Sequence, residues 1–333
     1  MIHKIFSIYT MELRKNRIRF FVSQSIFFLL LFFLFPSSLP AQPTLSSVSN
    51  TFQALIHSTD EAHRLLYSDK FTKEVIEIVK NDSKFNFPFD SIANLRSFVA
   101  KDKSFRIINW VILKDEGLVT HKAIFQIFNK NEKKYEIVEL QDLSAQCENP
   151  EQFVGDAEHW FGALYSQLVE TQYNDKTYYT LLGWNGSDAL CNRKVIESLY
   201  IKSNGDLVFG SPLFKMGKTL QKRVIFRLGK MYDMILRYDY QSYPKKIASK
   251  KKGVAPSLHS IPANLIVFDR LVPLKSHLQN EFSFYLPIGG IYDAFFFEQG
   301  KWNLKLDVDA HNSNPPLPAK KRSEKPKLYE STH

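Results

Sequence analysis

Residues 193–209 read RKVIESLYIKSNGDLVF: the strand-like runs Arg193–Lys202 and Leu207–Phe209 lie on either side of Asn204-Gly205. Asn-Gly supplies the positive φ angles that a tight two-residue turn needs, so the stretch predicts a β-hairpin. Similar runs lie on both sides of it. Upstream are Phe105–Leu113, Lys122–Phe128, Tyr135–Leu140 and Thr177–Leu182. Downstream, Val224–Leu228 and Met234–Tyr238 read as a further pair, followed by Leu265–Leu271, Phe282–Leu286, Ile291–Phe297 and Trp302–Leu306. Polar turns such as Asp115-Glu116-Gly117, Asn129–Glu132 and Glu298-Gln299-Gly300 separate them. Phe and Tyr are frequent, 28 and 15 residues, and both favour strands.

Before the strands the period is helical. Phe52, Leu55, Ile56, Leu65 and Leu66 mark one apolar side. A second helix is expected from Ser68 or Asp69, carrying Phe71, Val75, Ile78 and Val79, and a short one capped by Asp90 with Ile92, Leu95, Phe98 and Val99. Within the β region, Asn149-Pro150 looks like a helix start. Phe153, Ala157, Trp160, Phe161, Leu164 and Leu168 then recur at three- and four-residue steps. The expected fold class is therefore α+β: a helical N-terminal segment (42–103), then a large, mostly antiparallel β body (104–311) with one long packed helix near 150–170. Tyr243–Pro262 reads as a Lys/Pro/Ser-rich loop, and 312–333 as a disordered basic tail.

The first 41 residues read as a signal peptide. Arg14, Lys15, Arg17 and Arg19 precede an apolar stretch from Phe20 to Phe35; Pro36 and Pro40 then lead to Ala41, a suitable residue before a cleavage point. The alternative is an uncleaved anchor, which would be the chain's one attachment to a membrane. Met11 is a second possible start. Export is expected, to the periplasm or the cell surface.

The net charge of +10 is concentrated. Lys4, Arg14, Lys15, Arg17 and Arg19 against Glu12 leave +6 for the rest. That excess sits in two runs, Lys245, Lys246, Lys250, Lys251, Lys252 and Lys320, Lys321, Arg322, Lys325, Lys327. These read as solvated loop and tail, with weak attachment to anionic surface material as the alternative. No basic face interleaved with aromatics is legible, so a nucleic-acid partner is not expected. Cys147 and Cys191 are the only cysteines; in an oxidising compartment they either pair or remain as two buried thiols.

Trp160–Tyr165, Tyr178–Gly186, Phe209–Phe214, Arg237-Tyr238-Asp239, Ile266–Asp269 and Tyr292–Phe295 together resemble a family of exported, β-rich bacterial proteins with no assigned activity. The resemblance covers most of residues 100–310. It implies export and a β-rich body, and carries no catalytic residues. Pro287-Ile288-Gly289-Gly290 lacks the acidic residue of a Pro-Asp-Gly turn.

Chemistry is sparse. There is no G-x-S-x-G, no HExxH-like pattern and no Gly-rich phosphate loop. Asp156, Glu158 and His159 form one polar cluster, and Asp293, Asp307 and Asp309 suggest oxygen ligands for a hard cation without EF-hand spacing. A solvated face is the default for both. The Gly183–Asp188 turn places Trp184 beside Asn185, Ser187 and Asp188, which suits either a sugar-stacking platform or a hairpin turn anchored by an aromatic. Asn185-Gly-Ser187 and Asn81-Asp-Ser83 also match the glycosylation triplet, which arises easily by chance. The reading is an exported, non-catalytic binding or structural protein of the cell envelope. Its ligand-binding residues are Trp184, Asn185, Ser187 and Asp188, its partner is envelope polysaccharide or protein, and no cofactor or metal is called for. The alternative is an exported hydrolase acting on polysaccharide or another envelope polymer.

Overall fold

Thr44 opens the first helix by a reciprocal cap: its hydroxyl accepts from the Ser47 N–H at 3.2 Å, and the Ser47 hydroxyl receives the Thr44 N–H at 3.0 Å. Helix α1 (Leu45–His57) then buries Val48, Thr51, Phe52 and Leu55, one side of a 3.6-residue repeat. Asp60 caps α2 (Glu61–Val79), accepting from the His63 N–H at 2.9 Å. The second helix therefore begins seven residues before Ser68, and Leu65 and Leu66 ride on its exposed side. The structure, a computed structural model, describes residues 42–81, 85–247 and 255–310. The residues read as signal peptide and basic tail lie outside these. Contacts group the described residues from Pro43 onward into one compact unit.

Among the described residues fifteen strands follow the helices, in three sheets. Strands β1 (Arg96–Val99), β2 (Phe105–Leu113), β3 (Val119–Asn129) and β4 (Lys134–Glu139) pair in sequence order. The second sheet runs β11-β7-β6-β5, built from β5 (Leu164–Tyr173), β6 (Lys176–Asn185), β7 (Cys191–Ile201) and β11 (Arg223–Gly229), with β8 (Leu207–Phe209) also on β7. The third runs β10-β9-β15-β14-β13-β12. Its members are β9 (Phe214–Met216), β10 (Thr219–Gln221), β12 (Leu236–Ile247), β13 (Ser257–Pro273), β14 (Tyr285–Glu298) and β15 (Lys301–Val308). Among these strands only the β15–β9 pairing is parallel. The chain is thus α+β and predominantly antiparallel β.

The layers stack as helices, first sheet, second sheet, third sheet. Phe52, Phe71 and Val75 pack on Ile108, Trp110 and Ile124. The other face of the first sheet presents Phe105, Ile107 and Phe125 to Leu181, Val195 and Phe209. The far side of the second sheet sets Leu182, Ile196 and Val224 against Ile266, Phe295 and Trp302. Neighbouring residues such as Ile107/Ile108 and Leu181/Leu182 thus enter different cores, because successive side chains on a strand point to opposite faces. Antiparallel sheets buried on both faces read as apolar runs without polar alternation. Each such side chain contributes about 1.5–3 kcal/mol by burial.

Several expectations are corrected. No helix occupies 150–170. Asn149 and Pro150 do start one turn, with the Gln152 and Phe153 N–H groups donating to Asn149 O. Gly155 then leaves it to pair with Phe209, and Leu164–Tyr173 is strand β5. Trp160 joins the backbone of Gln141 and Leu143 by bonds of 3.1 and 2.9 Å. Tertiary pairing has overridden an apolar spacing that also fits a helix. Asp90 lies in a single 3-10 turn (Phe89–Ser91), and Phe98 and Val99 belong to β1. Strands β11 and β12 do not pair with each other; β11 pairs with β7 and β12 with β13. Phe282–Phe284 is a 3-10 turn ahead of β14. Within Tyr243–Pro262, the described residues mostly form two strands, running to Ile247 and from Ser257. In the opening hairpin, Gly205 (φ 91°) closes a three-residue loop, Ser203-Asn204-Gly205, between Lys202 and Asp206. Cys147 and Cys191 are free thiols, and burial pushes both their pKa values up. No helix among the described residues is long and apolar enough to cross a membrane.

Candidate functional site

The turn expected over Gly183–Asp188 starts later than the sequence suggested: Gly183, Trp184 and Asn185 are the last residues of β6, paired with β7, and only Gly186–Asp188 leave the strand. The four polar or aromatic side chains of this stretch are all held. Asn185 is fully buried: its amide donates to Gly162 O at 2.6 Å, and its carbonyl accepts the Ser187 N–H and hydroxyl at 3.2 and 2.8 Å. Its burial also removes it as a glycan acceptor. Asp188 accepts the Leu190 and Cys191 N–H groups at 2.8 and 3.0 Å and pairs with Arg193. Burial works to raise its pKa, but these donors outweigh it and hold it below the ordinary value. Trp184 is half-buried, its indole N–H on Asn192 Oδ1 at 3.3 Å and its ring over Gly186, where a Cβ would lie 2.4 Å from the indole. The site residues are therefore brought together, chiefly as parts of a fixed turn.

Beneath the turn lies a group not singled out in the sequence. His121 Nδ1 is 2.7 Å from Asp142 Oδ2, and Asp142 Oδ1 accepts the Ser144 N–H and hydroxyl at 2.9 and 2.6 Å. The Ser144 hydroxyl also reaches Ser187 Oγ at 3.2 Å. The Gly186 N–H donates to His121 Nε2 at 3.4 Å, which places the ring proton on Nδ1, facing Asp142. Serine, histidine and aspartate thus meet, but not as a nucleophilic triad. A triad needs a serine on Nε2 and an accessible ring. Here Nε2 is on a backbone N–H, and His121 is fully buried with Trp160 and Trp184 edge-on to it. Gly162 seats the carboxylate, since a Cβ there would lie 2.2 Å from Asp142 Oδ1.

Burial pulls the Asp142 pKa upward, and the His121 ring, the Ser144 hydroxyl and the His121 N–H together bring it down to about 2 from 3.8. A lowered folded value means stability that is present above the unfolded pKa and lost as pH falls through the folded one. A shift of this size corresponds to roughly 2 kcal/mol, lost between about pH 4 and pH 2. Asp142→Asn should flatten that limb of an acid-unfolding profile; an unchanged limb would remove Asp142 as its source.

The other clusters are also internally satisfied. Glu197 and Arg223 form a fully buried ion pair, extended by Tyr165 OH donating to Glu197 Oε2 at 2.9 Å and Trp160 Nε1 donating to Tyr165 OH at 2.8 Å. Asp156 accepts the Glu158 and His159 N–H groups and touches His159 Nδ1 at 3.0 Å, in a loop instead of on a helix. Asp293 and Asp307 do converge, and the Arg270 guanidinium lies between them at 2.5 and 2.8 Å, where a cation would sit. No group suited to a metal ion occurs among the described residues. An open cleft of about 460 Å³ is lined by Glu136, Asp156, Glu158 and Asp206 with Lys202. Three of its carboxylates already serve local structure: Glu136 accepts from Asn129 at 2.7 Å, Asp206 from Asn204 and Lys202, and Asp156 from its own loop. Comparison of the chain with protein-family models, curated proteins and solved structures finds no match.

Proposed function

We propose that the protein is exported and serves the cell envelope as a non-catalytic binding or structural protein, as its resemblance to exported β-rich proteins also suggests. The observation that supports this reading is how its ionisable side chains are used. His121–Asp142, Glu197–Arg223, Arg270–Asp293 and Asp188–Arg193 each fasten a strand or loop, and each has its partner within the chain. A general acid or base instead needs reach to a substrate proton. Binding is assigned to the end of the layers where the Gly183–Asp188 stretch lies, because loops at strand ends carry recognition on a rigid scaffold.

The test is incubation of the purified protein with cell-wall material from its host. Retention without release of soluble fragments is expected. Trp184→Ala should lower the melting temperature by a few degrees and leave retention intact, since the indole holds the turn. Fragment release that falls in Glu136→Gln or Asp206→Asn would overturn the reading in favour of a hydrolase working at the acidic cleft. Absence of retention would remove binding to the wall polymer.

A further inference from the structure

Three loops beside this turn expose large apolar side chains, and backbone contacts join them into one band. Leu190 is 68% exposed, Met231 95% and Leu274 55%. Leu190 O accepts the Lys230 N–H at 3.1 Å, which sets Leu190 beside Met231. Ser283 O lies against Gly229, where a Cβ would approach it to 2.5 Å, so the 282–284 turn rests on the start of the Met231 loop. The Leu274 N–H donates to Phe284 O at 2.9 Å. The same loops also expose Tyr232, Phe282 and Phe284, by 41, 38 and 47%. Arg227 covers the Phe282 ring at 5.4 Å. Exposed apolar patches of this kind mark contact surfaces.

We infer that this band docks the protein on an anionic phospholipid bilayer. The inference rests on the binding reading and names the surface bound. The composition of the band suits a membrane interface: exposed Leu190, Met231 and Leu274 are joined by part-exposed aromatic rings, and Lys230 and Lys275 adjoin Met231 and Leu274 in the chain. Lys230 precedes Met231, and its ammonium bonds to the carbonyl oxygens of Asp188 and Gly186 at 2.7 and 3.4 Å, which leave its charge in place. Lys275, directly after Leu274, is exposed. Arg193, Lys194 and Arg227 are matched by Asp188, Asp233 and Glu151, and Glu281 is the further acid at this end, so the electrostatic attraction is modest and apolar insertion leads. A glycan would need polar groups free beside an aromatic plane. Here Asn192 is spent on the Lys230 and Tyr232 carbonyls and Asp188 on its own turn.

The experiment has two parts. The chain from Gln42 onward, which carries the compact unit without the N-terminal apolar stretch, is sedimented with vesicles of phosphatidylglycerol and phosphatidylcholine. It should co-sediment, and the Leu190→Ser/Met231→Ser/Leu274→Ser variant should bind about tenfold or more weakly with an unchanged melting temperature. In the full chain, tryptophan introduced by Met231→Trp should be quenched by brominated lipid, a local signal independent of the N-terminal stretch. No co-sedimentation, equal binding by the triple variant, or no quenching would each overturn the inference. So would concentration-dependent self-association abolished by the same substitutions, which would assign the band to a second copy. Retention on lipid-free wall polymer with no vesicle binding would sink the bilayer while sparing the binding reading.

Discussion

Glu197→Ala should destabilise the protein by about 3–5 kcal/mol in a urea titration, because it strands a charged Arg223 in the interior. Both side chains are fully buried. Arg223 donates from Nε to Glu197 Oε1 at 2.7 Å and from Nη1 to the Pro150 carbonyl, and it lies 5.0 Å from the Phe161 ring. Burial alone raises the Glu197 pKa; Arg223 and Tyr165 work against it. The pair's net worth is small, since desolvation offsets most of the attraction, but the cost of breaking it is large. Replacing both partners, as Glu197→Leu/Arg223→Met, should therefore cost less than Glu197→Ala alone. A single-variant loss below about 1 kcal/mol would show that Arg223 finds another counter-charge or water.

That ion pair also accounts for the segment least legible in the sequence. Residues 149–163 carry an apolar spacing that fits a helix as well as it fits a pinned loop. The choice is made by distant groups: Arg223 on Pro150 O, Phe209 on Gly155, and Gln141 and Leu143 on Trp160. Only the glycines hinted at it. Gly155 and Gly162 sit where a Cβ would lie 2.3 Å from His159 O and 2.2 Å from Asp142 Oδ1, and neither suits a stable helix interior. By contrast, Phe105–Leu113 and Leu207–Phe209 stand in the structure with the bounds their sequence suggested, because turn residues close to them in sequence fix both ends. The 243–262 stretch misled for another reason. Lysine and proline are common on exposed edges, and β12 is one of the two edge strands of its sheet.

The candidate site divides along the same line. Trp184, Asn185, Ser187 and Asp188 are adjacent in the chain, so their clustering was readable. What they do was not, because Asn185 and Ser187 answer to Gly162 and Ser144, 23 and 43 residues away. His121 and Asp142 carry no local motif and meet through the β2–β3–β4 meander and the loop after it. The exposed band was equally hidden. Leu190, Met231 and Leu274 lie about 40 residues apart in the chain, in three separate connections, and only the pairing of the strands makes them neighbours.

Trp160→Ala should cost about 3–5 kcal/mol, the range for deleting a large aromatic from a packed core. Trp160 is fully buried, with its ring near those of Tyr165, Phe209 and His121. The loss has two separable parts. Removing the ring leaves a cavity between the first and second sheets. Removing the indole N–H frees the Tyr165 hydroxyl, the next link to Glu197 and Arg223. Trp160→Phe keeps most of the volume and deletes the donor, so it should lose clearly less, about 1–2 kcal/mol, near the cost of one buried hydrogen bond. Because Trp160 and Glu197 share this network, the double variant Trp160→Ala/Glu197→Ala should lose less than the two single losses combined, by about 0.5–3 kcal/mol. Strict additivity would mean that Tyr165 does not couple the two residues. A Trp160→Ala loss below about 1 kcal/mol would mean that the loop repacks without it, and that the pinning of 149–163 rests on Arg223 alone.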